Sequence, residues 1–217
     1  MESVLAARGV CLDYTGGRGL VPVLKGVDFE LERGGKACIL GPSGSGKSSL
    51  LMVLAGLLRP TSGEVLYCGQ PWPASVDAAA RLRRARLGLI LQEPFLVPYL
   101  TVRENALAAA LTDEAIAGLH ARAERLGIAD LLDERPAHLS VGERQRGSIL
   151  RALMNDPELV IADEPTANLD LPKGREVVRL LADNLGAASL VLVTHDMRIV
   201  SDRFAVYDLA DGVLGKR

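Results

Sequence analysis

Short apolar runs along this chain are separated by stretches in which apolar residues recur every three or four positions, and the two periods predict strands and helices respectively. The first thirty residues read as two strands, 4–14 and 23–31, on either side of the turn cluster Gly16-Gly17-Arg18-Gly19. A third apolar run, Ala37-Cys38-Ile39-Leu40, precedes Leu50, Leu51, Leu54, Leu57 and Leu58 at helical spacing. A strand over 64–67 follows Pro60-Thr61-Ser62-Gly63. Residues 74–86 predict an amphipathic helix with Val76, Ala79 and Leu82 inward and Arg81, Arg83, Arg84 and Arg86 as a solvated face. A strand over 87–91 leads into a helical middle. Thr101 and Glu104 have capping-box spacing, so a helix runs from there to about residue 111, and another spans 113–126 and stops at Gly127. The remainder alternates: helix 141–154, strand 159–162, helix 172–185, strand 190–193. Such alternation implies a parallel sheet. The predicted fold class is α/β, a single domain over 1–217 with its core in 1–92 and 148–217, antiparallel strands near the N-terminus and a helical insert at about 93–147.

With 217 residues and 48% hydrophobic content, the chain can bury one core and has no room for a second catalytic domain. The formal charge of −2, with acids and bases intermixed, argues against a dedicated nucleic-acid surface, so no nucleic acid is expected as a partner. Cys11, Cys38 and Cys68 are odd in number, scattered and in apolar surroundings, and read as reduced, mostly buried thiols. No apolar run approaches the ~18 residues of a membrane span. The start Met1-Glu2-Ser3-Val4 lacks the basic and hydrophobic stretches of a signal peptide, and the chain is expected to be cytoplasmic and soluble.

Candidate chemistry begins where the third apolar run breaks into Gly41-Pro42-Ser43-Gly44-Ser45-Gly46-Lys47-Ser48, followed by Ser49. This satisfies the phosphate-loop pattern G-x-x-x-x-G-K-[ST]. Without a Cβ in the way, the backbone can turn so that successive N–H groups converge on phosphate oxygens, while the next helix points its positive end at them. Lys47 is expected to reach the β and γ phosphates and Ser48 to hold Mg²⁺. The order strand, loop, helix separates this reading from a plain Gly/Ser-rich turn.

Further candidates sit where other apolar strands stop. The run 159–162 ends in Asp163 and Glu164; the first would bind Mg²⁺ and the second would orient and polarise an attacking water, although an acidic helix cap has the same appearance. His195 follows the strand ending at 193 and Thr194, where its imidazole could contact the γ phosphate and hold the water, although a lone histidine is more often structural. Gln92 ends the strand 87–91, and its amide could bind Mg²⁺ or the water. Ser140 and Glu143 have capping-box spacing and start the next helix with or without catalysis; a serine hydroxyl beside the Gly142 N–H also suits a phosphate.

Taken in order, these segments resemble the nucleotide-binding subunit of an ATP-binding cassette (ABC) transporter over nearly the whole chain. Gly41 to Ser48 look like the Walker A loop, Gln92 the Q-loop, Leu139 to Glu143 the signature, and Leu159 to Glu164 the Walker B strand. Asn168-Leu169-Asp170 look like the D-loop, His195 the H-loop, and Tyr14 the aromatic that stacks on adenine. The resemblance implies a P-loop NTPase core of the RecA-like type, with an antiparallel β subdomain and an inserted α-helical subdomain that carries the signature. It implies ATP and Mg²⁺ as cofactors, Glu164, His195 and Gln92 in catalysis, and Ser48, Gln92 and Asp163 around the metal. It adds Tyr14, Ser140, Gly142 and Asp170 to the loop residues 41–49 as nucleotide contacts. It further implies that two copies meet head to tail, each ATP lying between one Walker A loop and the partner's signature. A permease would contact the region Gln92 to Leu100 and hold the subunit on the inner face of the cell membrane.

One departure stands out. Val141 replaces the first glycine of the usual LSGGQ signature and Glu143 the glutamine, the latter a common variant. At ordinary helical φ and ψ the cost of valine should be small. The run Ala162 to Asp170 and the segment Glu143-Arg144-Gln145-Arg146 are similar to the lipoprotein-release and macrolide-exporter branch. The alternative within the family is a non-transport ATPase coupled to a membrane partner in cell division or envelope remodelling. A GTPase would need an Asn-Lys-x-Asp motif, which is absent.

Overall fold

The computed structural model describes residues 2–17 and 19–217; Met1 of the N-terminal start and Arg18 of the first turn cluster lie outside them. The two N-terminal strands form slightly longer than predicted, β1 (Ser3–Gly16) and β2 (Gly19–Glu32), pairing antiparallel with Tyr14 opposite Val21. β3 (Lys36–Leu40) is almost wholly buried and passes through the glycine loop into α1 (Lys47–Leu54). β4 (Ser62–Tyr67) and β5 (Gln70–Pro71) complete a four-stranded antiparallel sheet in the order β2-β1-β4-β5. α2 (Val76–Arg86) leads directly into β6 (Leu87–Ile90).

Four α-helices then intervene before the next strand: α3 (Val102–Leu107), α4 (Asp113–Ala117), α5 (Leu119–Arg125) and α6 (Val141–Ala152). The chain closes with β7 (Leu159–Asp163), α7 (Leu171–Asn184), β8 (Ser189–Thr194), β9 (Ala205–Ala210) and β10 (Val213–Lys216). The second sheet has six strands in the order β10-β9-β3-β8-β7-β6, parallel except for β10. β7 and β8 are buried at every position, as strands covered on both faces must be. Period-two alternation sends Ile39, Ile161 and Val191 toward α1 and the antiparallel sheet. Cys38, Val160, Ala162 and Leu192 face the second core, which contains Ile149 and Leu150 of α6 and Val177 and Leu181 of α7.

Several expectations need correction. The predicted helix over 113–126 is broken at Gly118, where the Arg122 guanidinium fills the space a Cβ would occupy. α3 ends at Leu107 rather than near 111, because carbonyls past its end are recruited elsewhere: Ala108 and Ala110 accept from Arg84, and Ala109 accepts from Asn155. Val76, at the first position of α2, is exposed rather than inward. The α2 arginines are not a simple solvated face: Arg83 donates to the Gly56 carbonyl and Arg86 pairs with Glu158. Cys38 is buried, whereas Cys11 and Cys68 are half-buried. The β9–β10 hairpin is not among the predicted elements, although Asp211-Gly212, both at positive φ, is a strong hairpin signal. Among the described residues no helix is long and apolar enough to cross a membrane.

Strand register brings the loop ends together. Leu40 pairs with Thr194 on one side and Asp208 on the other, and Asp163 pairs with Val193. The carboxyl ends of β3, β7 and β8 therefore lie side by side, and their loops open at one sheet edge, where α/β folds bind ligands.

Candidate nucleotide-binding site

Two glycines shape the loop after β3. Gly46 has φ +99° immediately before α1, and a Cβ there would sit 3.1 Å from the Val23 carbonyl oxygen. Gly41 lies so close to β9 that a Cβ would overlap the Leu209 carbonyl oxygen and come within 2.7 Å of Ser45 Oγ. No side chain among the described residues caps α1, so its first N–H groups remain for an anion. Ser45 Oγ is buried without a hydrogen-bond partner among the described residues. Lys47 is itself buried, its Nζ donating to the carbonyl oxygens of Gly41 and Pro42 at 2.9 Å each. Tyr14 is exposed beside the loop, its hydroxyl 3.3 Å from Ser49 Oγ.

Across from Lys47 stands Glu164. It occupies the left-handed region at φ +44°, pinned by its own N–H donating to the Val193 carbonyl at 2.9 Å. A non-glycine residue held there carries backbone strain, which the surrounding ladder must maintain. Its carboxylate is 3.8 Å from Lys47 Nζ on one side and 2.8 Å from His195 Nδ1 on the other, and it also accepts from the His195 backbone N–H. Asp163 is buried, and its Oδ1 has no hydrogen-bond partner among the described residues. Burial holds this carboxyl above its ordinary range, with Glu164 adding to the shift and the Ser48 hydroxyl and Lys47 ammonium opposing it. An orphaned, buried carboxylate oxygen beside a serine hydroxyl and a phosphate loop is a donor set suited to a hard divalent cation. Lys47, Asp163, Glu164 and His195 are thus gathered into one place.

The remaining candidates are not. Gln92 is exposed beyond the end of β6 and makes no side-chain hydrogen bond among the described residues. Ser140 caps α6 in a complete capping box, with Ser140 N–H donating to Glu143 Oε2 at 2.7 Å and Glu143 N–H to Ser140 Oγ at 3.3 Å. Among the described residues no hydrogen bond or ion pair links 139–143 to the loop 41–48. Gly142 abuts Leu169 instead. Val141 takes the first helical position and is partly exposed, a placement that costs a branched side chain little. Asp170 caps α7 by accepting from the Lys173 N–H at 3.0 Å.

Sequence reasoning missed two residues that shape the segment after Gln92. Asn105 is buried; its Oδ1 accepts from Val97 N–H at 2.7 Å and its Nδ2 donates to the carbonyls of Val97, Leu100 and Thr101. Arg151 donates to the Phe95 and Pro94 carbonyls. Burial lowers the Arg151 pKa from its ordinary value. The only sequence hint was that Asn105 lies one helical turn beyond the Thr101 cap.

A sheet whose parallel strands end at a glycine loop, with a buried lysine facing a strand-terminal Asp-Glu pair and a histidine, defines a phosphate-loop NTPase. Residues 24–167 match the ABC transporter family, and the chain belongs to it as an ATP-binding, ATP-hydrolysing cassette. It is 43% identical over 201 residues to the macrolide export ATP-binding/permease protein MacB of Marinobacter nauticus, covering 89% of this chain and 31% of that protein. The chain thus spans about a third of that relative. It is 39% identical over 223 residues to the lipoprotein-releasing system ATP-binding protein LolD of Francisella tularensis, covering 98% of this chain and 96% of LolD. Among solved structures, it superposes on the ATP-binding cassette MJ0796, a dimer bound to ADP and phosphate in a post-hydrolysis state. That likeness has a TM-score of 0.82 at 30% identity and covers 98% of each chain.

Proposed function

We propose that this cassette powers a membrane transporter of the export or lipoprotein-release kind, with each ATP held between one copy's phosphate loop and the Ser140 segment of a second copy. The observation that carries this reading is the distribution of the site: Lys47, Asp163, Glu164 and His195 converge, while Ser140 and Gly142 start a capped helix outside that cluster. The names of the relatives, macrolide export and lipoprotein release, support the branch.

On this reading Lys47 leaves its own loop carbonyls for the β and γ phosphates, and the N–H groups of residues 41–49 surround the rest. Tyr14 stacks on the adenine. Ser48, Asp163 and Gln92 would hold Mg²⁺, which supplies charge neutralisation at the phosphate oxygens. Glu164 accepts a proton from, or aligns, the attacking water, and His195, already on the Glu164 carboxylate, steadies it against the γ phosphate. Ser140 and Gly142 of the second copy supply donors to the same phosphate, and Asp170 lies along the seam. The exposed aromatics Phe95 and Tyr99 suit the stretch Gln92 to Leu100 as the permease contact, which would place the cassette peripherally on the membrane's inner face. Residues 93–147 then act as one helical subdomain of a single ATPase domain.

Mixing two inactive variants tests the shared site. Lys47→Ala lacks the loop half and Ser140→Ala the signature half, so each alone should turn over little ATP. Mixed dimers contain one complete site, and phosphate release should rise above either parent. A mixture as inactive as its parents would exclude a site built from two copies. A detergent pull-down with this chain as bait would identify the membrane partner.

A further inference from the structure

α7 and residues 198–204 of the connection from β8 to β9 enclose an open groove of about 610 Å³. Its floor is apolar and closed by the buried Val178, Ile199 and Phe204. Its walls carry four arginines against two aspartates, on a chain whose formal charge is −2. Arg198 is occupied by Asp196 through both carboxylate oxygens, and Arg203 reaches Asp183 at 3.3 Å. Arg175 and Arg179 are different. They stand one turn apart on exposed positions of α7; Arg175 donates only to the Arg198 carbonyl, and Arg179 makes no hydrogen bond or ion pair among the described residues. Like charges at this spacing cost a helix stability. The acids at helical spacing to Arg179, Glu176 and Asp183, are engaged by Arg146 and Arg203 instead, which leaves the two guanidinium groups beside an apolar floor without a carboxylate partner among the described residues.

We propose that this groove docks an acidic polypeptide segment, with carboxylates on Arg175 and Arg179 and an apolar side chain on the Val178–Phe204 floor. Guanidinium forks pair with carboxylates in a bidentate manner, and the floor accepts a side chain. The groove is also polarised, with the two available arginines on α7 and Asp202, which has no ion-pair partner among the described residues, on the opposite wall. A uniformly anionic surface, such as a nucleic-acid backbone or an acidic membrane, would meet that carboxylate; a peptide can place its charges on one side.

Docking has a route to the active site. Arg175 Nε holds the Arg198 carbonyl, Arg198 is clamped on Asp196, and Asp196 follows His195 directly. A carboxylate that draws Arg175 away loosens the turn that presents His195 to Glu164. The effect on turnover rests on the role proposed above for His195, whereas docking itself does not.

The experiment uses the intact chain and a short fluorescent peptide of alternating glutamate and leucine. Fluorescence anisotropy should show binding that weakens with salt. The double variant Arg175→Glu/Arg179→Glu should weaken it by about tenfold or more, whereas Arg81→Glu, on another face, leaves it unchanged. Equal binding by wild type and the double variant overturns the proposal. So does stronger groove-dependent binding of an oligothymidylate or of phosphatidylglycerol vesicles, which would identify a different partner class. ATP turnover measured with and without peptide should change in wild type and stay constant in the double variant. Binding without any change in turnover refutes the coupling to His195 while the anisotropy result stands.

Discussion

Replacing Glu164 by glutamine separates its catalytic from its structural contribution. The Lys47 and Glu164 side chains are 9% and 11% exposed and 3.8 Å apart. At an effective dielectric near 20, that separation corresponds to about 4 kcal/mol of attraction. Removing both ions from water costs several kcal/mol each, so the pair's net contribution to stability is small. Loss of one partner is dangerous when it strands the other, at ~3–5 kcal/mol. Lys47 is not stranded, because the Gly41 and Pro42 carbonyls continue to accept from its Nζ at 2.9 Å. Glutamine keeps the volume, tolerates the same backbone as glutamate, and offers an amide oxygen to the His195 N–H. The melting temperature should therefore move little. Turnover should fall by about 100- to 10,000-fold, the range for a lost general base. With one negative charge fewer facing the triphosphate, ATP should bind more tightly and a closed dimer should accumulate, read by sedimentation with ATP and Mg²⁺. Turnover within about tenfold of wild type, or a variant that remains strictly monomeric, would refute the assigned role.

Gly41→Ala should destabilise the chain by about 1–3 kcal/mol and weaken ATP binding, because the new methyl meets the Leu209 carbonyl in a strand that cannot withdraw; an unchanged melt would contradict this. Asn105→Ala leaves the half-buried Val97 N–H and its carbonyl neighbours without their partner, and should cost about 1–3 kcal/mol in denaturant unfolding. Burial pushes the Cys38 thiol up to about 12, so a disulfide reagent should label Cys11 and Cys68 in the native protein and Cys38 only after unfolding. Arg198 holds Asp196 at about 2, below its ordinary 3.8. A depressed folded pKa contributes stability that is complete above the unfolded value and is lost as pH falls through the folded one. The difference in melting temperature between wild type and Asp196→Asn should therefore persist at neutral pH and vanish as pH approaches 2.

Local pattern determined the elements and motifs that depend on near neighbours along the chain. The glycine loop, the Asp163-Glu164 strand end and the two capping boxes at Thr101 and Ser140 were legible because each depends on residues a few positions apart. The strand-helix alternation likewise announced a parallel sheet, since burial on both faces demands unbroken apolar runs. Tertiary structure decided the rest. That Glu164 meets both Lys47 and His195 depends on β3, β7 and β8 lying side by side in register, and no sequence spacing encodes which strands become neighbours. The break at Gly118, the early end of α3 and the arginine attachments of α2 arise from partners 24 to 72 residues away or from a guanidinium lodged against a backbone. Asn105 and Arg151 stayed invisible for the same reason: a polar side chain is recognised as a brace only when the loop it holds has folded over it. Hydrophobic period and cap chemistry act locally along the chain, whereas convergence at the active site is a property of the packed sheet.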